Sequence, residues 1–265
     1  MLKKLLKYDL EYMYKSLFLF YGVTIVSAIF TRIFGSLGDA FIFDVINKLL
    51  NFTTVAMMFC VAFVSVIRMW IRFKNNLYGD ESYLTHTLPV TKKQLYTSKF
   101  LTSVIIILSS LIVLVVTYFI GYVKSMEEIK TLWEVFTLDG AAFLLLVILI
   151  FLMILGCIHS VQLGYTGIIL GNRRNNNKLA WSVVFGFIVY FITQVINAIV
   201  MISFVVNKQI RDFLFTSVEE NMGVEGLTMH ILNIMFGSIF ILYVIYVIAL
   251  YFINNKFLKK GVNVD

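Results

Sequence analysis

Six apolar stretches, each long enough to cross a bilayer and separated by short polar connectors, set the main constraint on how this chain can fold. A helix rises about 1.5 Å per residue, so about 20 apolar residues span a hydrocarbon core of about 30 Å. The stretches run over Leu17–Phe34, Leu49–Ile67, Phe100–Val123, Ala141–Gly164, Leu179–Val206 and Met229–Ile253. Hydrophobic residues make up 60% of the chain and charged ones only 14%, more apolar surface than a soluble domain of 265 residues can bury. The expectation is an all-α, polytopic membrane protein with six transmembrane helices forming one membrane domain over residues 1–265. The basic-then-apolar N-terminus is expected to be an uncleaved first span, because its apolar run outlasts a signal core.

Basic residues sort sharply between alternate connectors. Lys3, Lys4, Lys7, Lys15, Arg68, Arg72, Lys74, Lys92, Lys93, Lys99, Arg173, Arg174, Lys178, Lys256, Lys259 and Lys260 fall on one side, sixteen of the 22. Only Arg32, Lys48, Lys124, Lys130, Lys208 and Arg211 fall on the other, together with ten of the fifteen acidic residues. Lys and Arg near span ends are retained inside, so both termini are expected in the cytoplasm. The net charge of +7 then reflects this bias and attraction to anionic head groups, with no nucleic-acid partner implied. Cys60 and Cys157 fall within spans, where they act as small hydrophobes.

The segment MLKKLLKYDLEYMYKS places Leu2, Leu5, Leu6, Leu10, Met13 and Tyr14 at spacings of three and four, with Lys3, Lys4, Lys7, Glu11 and Lys15 opposite. That pattern predicts an amphipathic helix over residues 1–16, lying in the membrane interface. The connector Ile71–Leu101 is the least generic. Asp80 is expected to cap a short helix beginning at Glu81, and Pro89, the one proline, disfavours helix just before it, so this helix should stop near Thr87. Thr91 and Gln94 have capping-box spacing and should start the helix that enters the third span. The third and fifth connectors (124–140 and 207–228) are acidic and are expected to carry small helices.

Catalytic and metal-binding patterns are missing. His86, His159 and His230 sit in different compartments, and neither H-E-x-x-H nor G-x-x-x-x-G-K-[ST] occurs. No enzymatic activity and no cofactor are expected in this chain. Polar residues within spans either line a pathway or hydrogen-bond between helices. Gln194 with Asn197 is the best pathway candidate, followed by Asn51 and Thr54, while His159, Gln162 and Asn233 suit packing. Gly167 and Gly171 form a GxxxG pair that permits close helix approach.

The connector sequence Tyr83-Leu84-Thr85-His86-Thr87-Leu88-Pro89-Val90, preceded by Gly79-Asp80-Glu81, resembles the cytoplasmic loop of many bacterial permeases of the ABC type-2 exporter family. The amphipathic opening and the six-span layout are similar to theirs as well. The resemblance implies a permease subunit in a bacterial plasma membrane, paired with a second permease copy and driven by separate ATP-binding subunits. By position, Asp80–Thr87 would be a coupling helix, with Asp80, Glu81, Tyr83, Leu84 and His86 touching the ATPase. His86 also reads as an ordinary surface histidine. The implied cargo is a peptide, lipid or drug-like molecule. Two alternatives are a secondary transporter and a non-transporting scaffold or sensor subunit. Against the first, no span core of this chain holds the Asp or Glu that ion coupling uses.

Overall fold

The computed structural model describes residues 1–37, 41–123, 125, 127, 129, 130, 134, 140–209 and 224–260. The protein is all-α, and no strand occurs among the described residues. Its helices are α1 (Leu2–Phe34), α2 (Phe41–Tyr78), α3 (Ser82–Thr87), α4 (Lys92–Tyr122), α5 (Gly140–Gly171), α6 (Lys178–Val206) and α7 (Val224–Lys259). Six of them, all but α3, are long and apolar enough to cross a membrane. The small helices expected in the third and fifth connectors lie mostly outside the described residues.

The amphipathic segment is not a separate interfacial helix. It continues without a break into the first span, giving α1 its 33 residues. The reason is local: between Leu2 and Phe34 there is no proline and Gly22 is the lone glycine, so nothing turns the chain. An uninterrupted helix of that length extends about 50 Å, well beyond the hydrocarbon thickness. The 38-residue α2 likewise overruns its apolar stretch, through Arg68 to Tyr78. These overruns, with the start of α4 and all of α3, place a polar helical extension beyond the apolar layer.

The chain divides into two compact units, the first containing α1–α4 and the second α5–α7. In the first, α1 packs on both α2 and α4, while α3 packs on α2. The buried stripe of α1 holds Asp9, Met13, Leu17, Tyr21, Thr24, Ala28 and Thr31, the three-and-four spacing of one helix face. Hydroxyls fasten it. The Tyr21 hydroxyl meets Ser110 Oγ at 2.7 Å, Ser110 meets Ser65 at 2.9 Å, and Thr31 meets Thr54 at 2.9 Å. Each such interhelical bond contributes roughly 0.6 kcal/mol in an apolar layer. Near the far end, Gly121 approaches Ala28 closely, where a Cβ would lie 3.4 Å from the alanine Cβ. Partners therefore rise together along α1 and α4, which run in the same direction.

In the second unit α5 plays the central part, packing on both α6 and α7, which barely meet each other. The GxxxG pair sets the α5–α6 approach. A Cβ on Gly167 would overlap the Ser182 carbonyl and come within 2.9 Å of the Gly186 nitrogen. A Cβ on Gly171 would overlap the Ser182 side chain and backbone. Asn177, in the left-handed region at φ 53°, turns the connector into α6. Asparagine tolerates that conformation better than most residues. On the other flank, Asn233 Nδ2 donates to the Ala141 carbonyl at 2.8 Å and Arg173 donates to the Phe257 carbonyl at 2.6 Å, so α5 and α7 are co-directional.

Candidate functional site

The short helix α3 hangs from the end of α2 by a tight turn. The Gly79 N–H donates to the carbonyls of Lys74 and Asn75, at 3.1 and 3.2 Å. A Cβ at Gly79 would press to 3.0 Å from Asn75 backbone atoms, so a residue without one suits this closure. Ser82 N then donates to the Gly79 carbonyl at 2.9 Å. The helix stops after Thr87, where Leu88 turns extended (φ −63°, ψ 140°) ahead of Pro89, as the proline requires. The next helix opens on the expected capping box. Gln94 N donates to Thr91 Oγ1 at 3.2 Å, and Thr91 N donates to Gln94 Oε1 at 3.1 Å.

The expected Asp80 cap does not form. The N-cap position belongs to Glu81, whose side chain makes no capping bond, and Asp80 is exposed. The cause is a competing partner. Glu81 Oε2 accepts from Arg72 Nη1 at 2.6 Å and from Asn76 Nδ2 at 3.1 Å, both on α2. Its carbonyl also accepts from Thr85, which locks the first turn. Burial alone would raise the Glu81 carboxyl. The Asn76 hydrogen bond and the Arg72 charge outweigh it and hold the group below the ordinary carboxylate value.

Arg72 connects this helix to the rest of the unit. Its Nε donates to Asp9 Oδ1 of α1 at 3.3 Å, and its guanidinium lies 4.1 Å from the Tyr12 ring centre. Asp9 in turn accepts from Lys99 Nζ of α4 at 2.5 Å, and its other oxygen from Ser98 Oγ at 3.4 Å. Asp9 is 4% exposed and Lys99 3%. Two anions and two cations thus close into a neutral quartet spanning α1, α2, α4 and the entry to α3. Charges this buried persist only when paired, which accounts for the composition of the cluster.

The five residues expected to touch an ATPase therefore divide. Glu81 faces inward, and His86 reaches the Leu77 carbonyl, 3.2 Å from Nε2, which can only accept, so the ring must donate. Ser82 and Thr85 are buried beside them. Tyr83 (74% exposed), Leu84 (69% exposed) and Asp80 point away from the unit. A six-residue helix thus carries an apolar tip on a base fixed by ions and hydrogen bonds.

The pathway candidates separate as well. Asn51 and Thr54 lie in the first unit, where Asn51 Nδ2 donates to Asn47 Oδ1 at 3.3 Å and Thr54 meets Thr31. Gln194 and Asn197 lie in the second, half-buried on α6, and the Tyr246 hydroxyl donates to Asn197 Oδ1 at 3.0 Å. Asp9 and the ion-pairing roles of Arg72 and Lys99 escaped the sequence reading. One signal was available: Asp9 interrupts the four-residue ladder Leu5–Asp9–Met13–Leu17, an ionisable group on the face that packs inward. No family model, curated protein or solved structure matches the chain.

Proposed function

We propose that the chain is the membrane-embedded permease of an ATP-binding cassette exporter in a bacterial plasma membrane, acting with a second permease copy and a separate ATPase. The observation that carries this reading is the construction of α3. Tyr83 and Leu84 stand exposed on a helix that is tied to α2 through Glu81 and His86, with Ser82 and Thr85 buried. A loose loop would absorb a push from a partner. A helix fixed at its base passes the push to α2, and through Arg72, Asp9 and Lys99 to α1 and α4. Apolar side chains held in water at this density suit insertion into a groove of another protein.

In mechanism, ATP binding closes the ATPase pair, and the energy of that closure biases the permease between inward- and outward-facing arrangements. Such a bias requires the ATPase to contact the two arrangements differently. The α3 tip is the lever, with both termini and the α2–α4 connector cytoplasmic. The cargo is a peptide, lipid or drug-like amphiphile.

A photo-crosslinking amino acid at position 83, activated in native membranes, tests the reading. The expected adduct is a protein carrying a phosphate-binding loop, with crosslinking altered by ATP. Adducts to lipid alone, or labelling of position 83 only from outside the cell, would overturn it.

A further inference from the structure

The second unit contains the most anomalous polar groups in the described chain. Gln162 on α5 is fully buried, and neither its Oε1 nor its Nε2 meets a hydrogen-bond partner. One turn earlier, His159 is 4% exposed with Nε2 likewise unpartnered. The two share a helix face at i, i+3 spacing. Around His159 stand the rings of Tyr243 and Tyr246 on α7, with centres 5.3 and 5.4 Å away. The Gln162 backbone carbonyl accepts from Asn254 Nδ2 of α7 at 3.4 Å, so this stretch of α5 faces α7. Buried polar atoms in native proteins nearly always have partners, and each orphan in an apolar layer carries a penalty that packing alone would select against.

We propose that His159, flanked by Tyr243 and Tyr246, and Gln162 one turn further along α5 form a binding site for an uncharged amide or hydroxyl group of an amphiphilic guest. The class follows from three features. A carboxamide both donates and accepts, as does a neutral imidazole, so the complementary group does the same. No Asp, Glu, Lys or Arg occurs anywhere in α5, nor in α7 between residues 226 and 255, so an ion would meet no counter-charge. The flanking tyrosine rings, with Ile158 and Leu250 buried close by in sequence on the same two helices, suit an apolar body attached to the polar group. Asn197, the favoured residue from the sequence, is already engaged by Tyr246. The unsatisfied capacity lies one helix away from it.

The site rests on the transporter reading only if the guest is cargo. Its test uses this chain alone, so it can fail while that reading stands, and the reverse. In a Cys60→Ser/Cys157→Ser background, Tyr243→Cys, which stands beside His159 and leaves both His159 and Gln162 in place, is treated in membrane vesicles with methyl methanethiosulfonate, a small neutral thiol reagent. Ile150→Cys, 48% exposed on the apolar surface of α5, is the comparison. A thiol in contact with a polar, hydrated site ionises more readily, so position 243 should react at least about tenfold faster than position 150. Octanamide should slow that reaction severalfold, and octanoate should not.

Equal inertness at both positions overturns the site. Rapid labelling that octanamide leaves untouched assigns the orphan atoms to water and also overturns it, and equal protection by octanoate removes the uncharged class. Should Tyr243→Cys fail to insert, Gln162→Leu gives the same decision through thermal unfolding in detergent with and without octanamide. A melting temperature raised by octanamide in the parent and not in Gln162→Leu supports the site, and no shift in the parent overturns it.

Discussion

The two units share a helical plan and differ in what fastens it. In each, the first long helix packs against both others, and the first and third run in the same direction. The α1–α4 unit is tied by a neutral ion quartet at one end and hydroxyl pairs along the spans. The α5–α7 unit relies on backbone approach at Gly167 and Gly171, with aromatic contacts and hydrogen bonds on the α7 side. Position relative to the apolar layer explains the difference. Asp9, Arg72, Glu81 and Lys99 all lie outside the apolar stretches, where hydration of the rim lowers the cost of keeping charges. The α5 helix carries no Asp, Glu, Lys or Arg, so its contacts come from shape and from uncharged hydrogen bonds.

The largest effect expected from breaking this comparison is at the quartet. Asp9→Asn leaves Lys99 buried without its nearest counter-charge, and loss of one partner of a buried pair costs about 3–5 kcal/mol. The double variant Asp9→Asn/Lys99→Met should recover much of that, because it removes both desolvated charges. Chemical or thermal unfolding in detergent measures both, and equal stability of the single and double variants would show that the pair is not coupled.

Next comes the glycine approach. Gly171→Ala sets a methyl group into the Ser182 backbone and side chain, and overpacking of this kind costs about 1–3 kcal/mol, with more where backbone must move. The same change at Gly22, which has open space around it in the middle of α1, should not destabilise and should gain up to about 1 kcal/mol from alanine's helix preference. If the two variants unfold alike, the α5–α6 contact is not set by shape. Smaller again is the capping box at the start of α4. Thr91→Ala should cost about 1 kcal/mol, and Thr91→Ser should restore most of it.

These sites also mark what was legible in the chain. The Thr91–Gln94 box and the stop before Pro89 are local, set by residues within four positions of one another, and the sequence suffices for both. The six apolar stretches are legible for the same reason. The quartet is not, because Asp9 and Lys99 are 90 residues apart, and a lysine near a span end serves topology as naturally as ion pairing. The Asp80 cap fails by the same logic. Capping preference favours an aspartate there, yet Glu81 finds Arg72 nine residues back on α2, and the helix starts one residue later. The GxxxG pair could be seen, but its weight depends on Ser182 and Gly186 standing opposite, which only the packed helices reveal.

The Glu81 anchor gives a pH dependence with a definite sign. Its carboxyl is held below the ordinary value by Asn76 and Arg72 against the opposing effect of burial. A carboxyl lowered on folding contributes order that is fully present above its unfolded value, about 4.3, and is lost as pH falls through the folded one. Glu81 is 45% exposed, so solvent screens the effect and the whole unit should survive. A spin label at Leu84→Cys, in a background without Cys60 and Cys157, should therefore be ordered at neutral pH and gain mobility only as the pH falls below the ordinary carboxylate value. Glu81→Gln should have that mobility already at pH 7. An invariant spectrum would mean that packing of Ser82 and Thr85 holds α3 without the ion pair.

The smallest effect on stability is expected where the effect on function should be greatest. Tyr83→Ala and Leu84→Ala remove apolar groups that touch water in the isolated chain, so unfolding should shift by no more than about 0.5 kcal/mol. The quartet variants loosen what stands behind α3 and leave its exposed side chains in place. The tip variants leave the base intact and remove only what a partner would hold. If α3 is the point of contact, Tyr83→Ala/Leu84→Ala should fold, insert and melt as the parent does while losing most co-purification with an ATPase. Asp9→Asn/Lys99→Met should retain that capture and lose transport per ATP hydrolysed. That crossed pattern separates docking from transmission. Loss of capture in the quartet double variant, with the tip variants unaffected, would place the partner's contact away from α3.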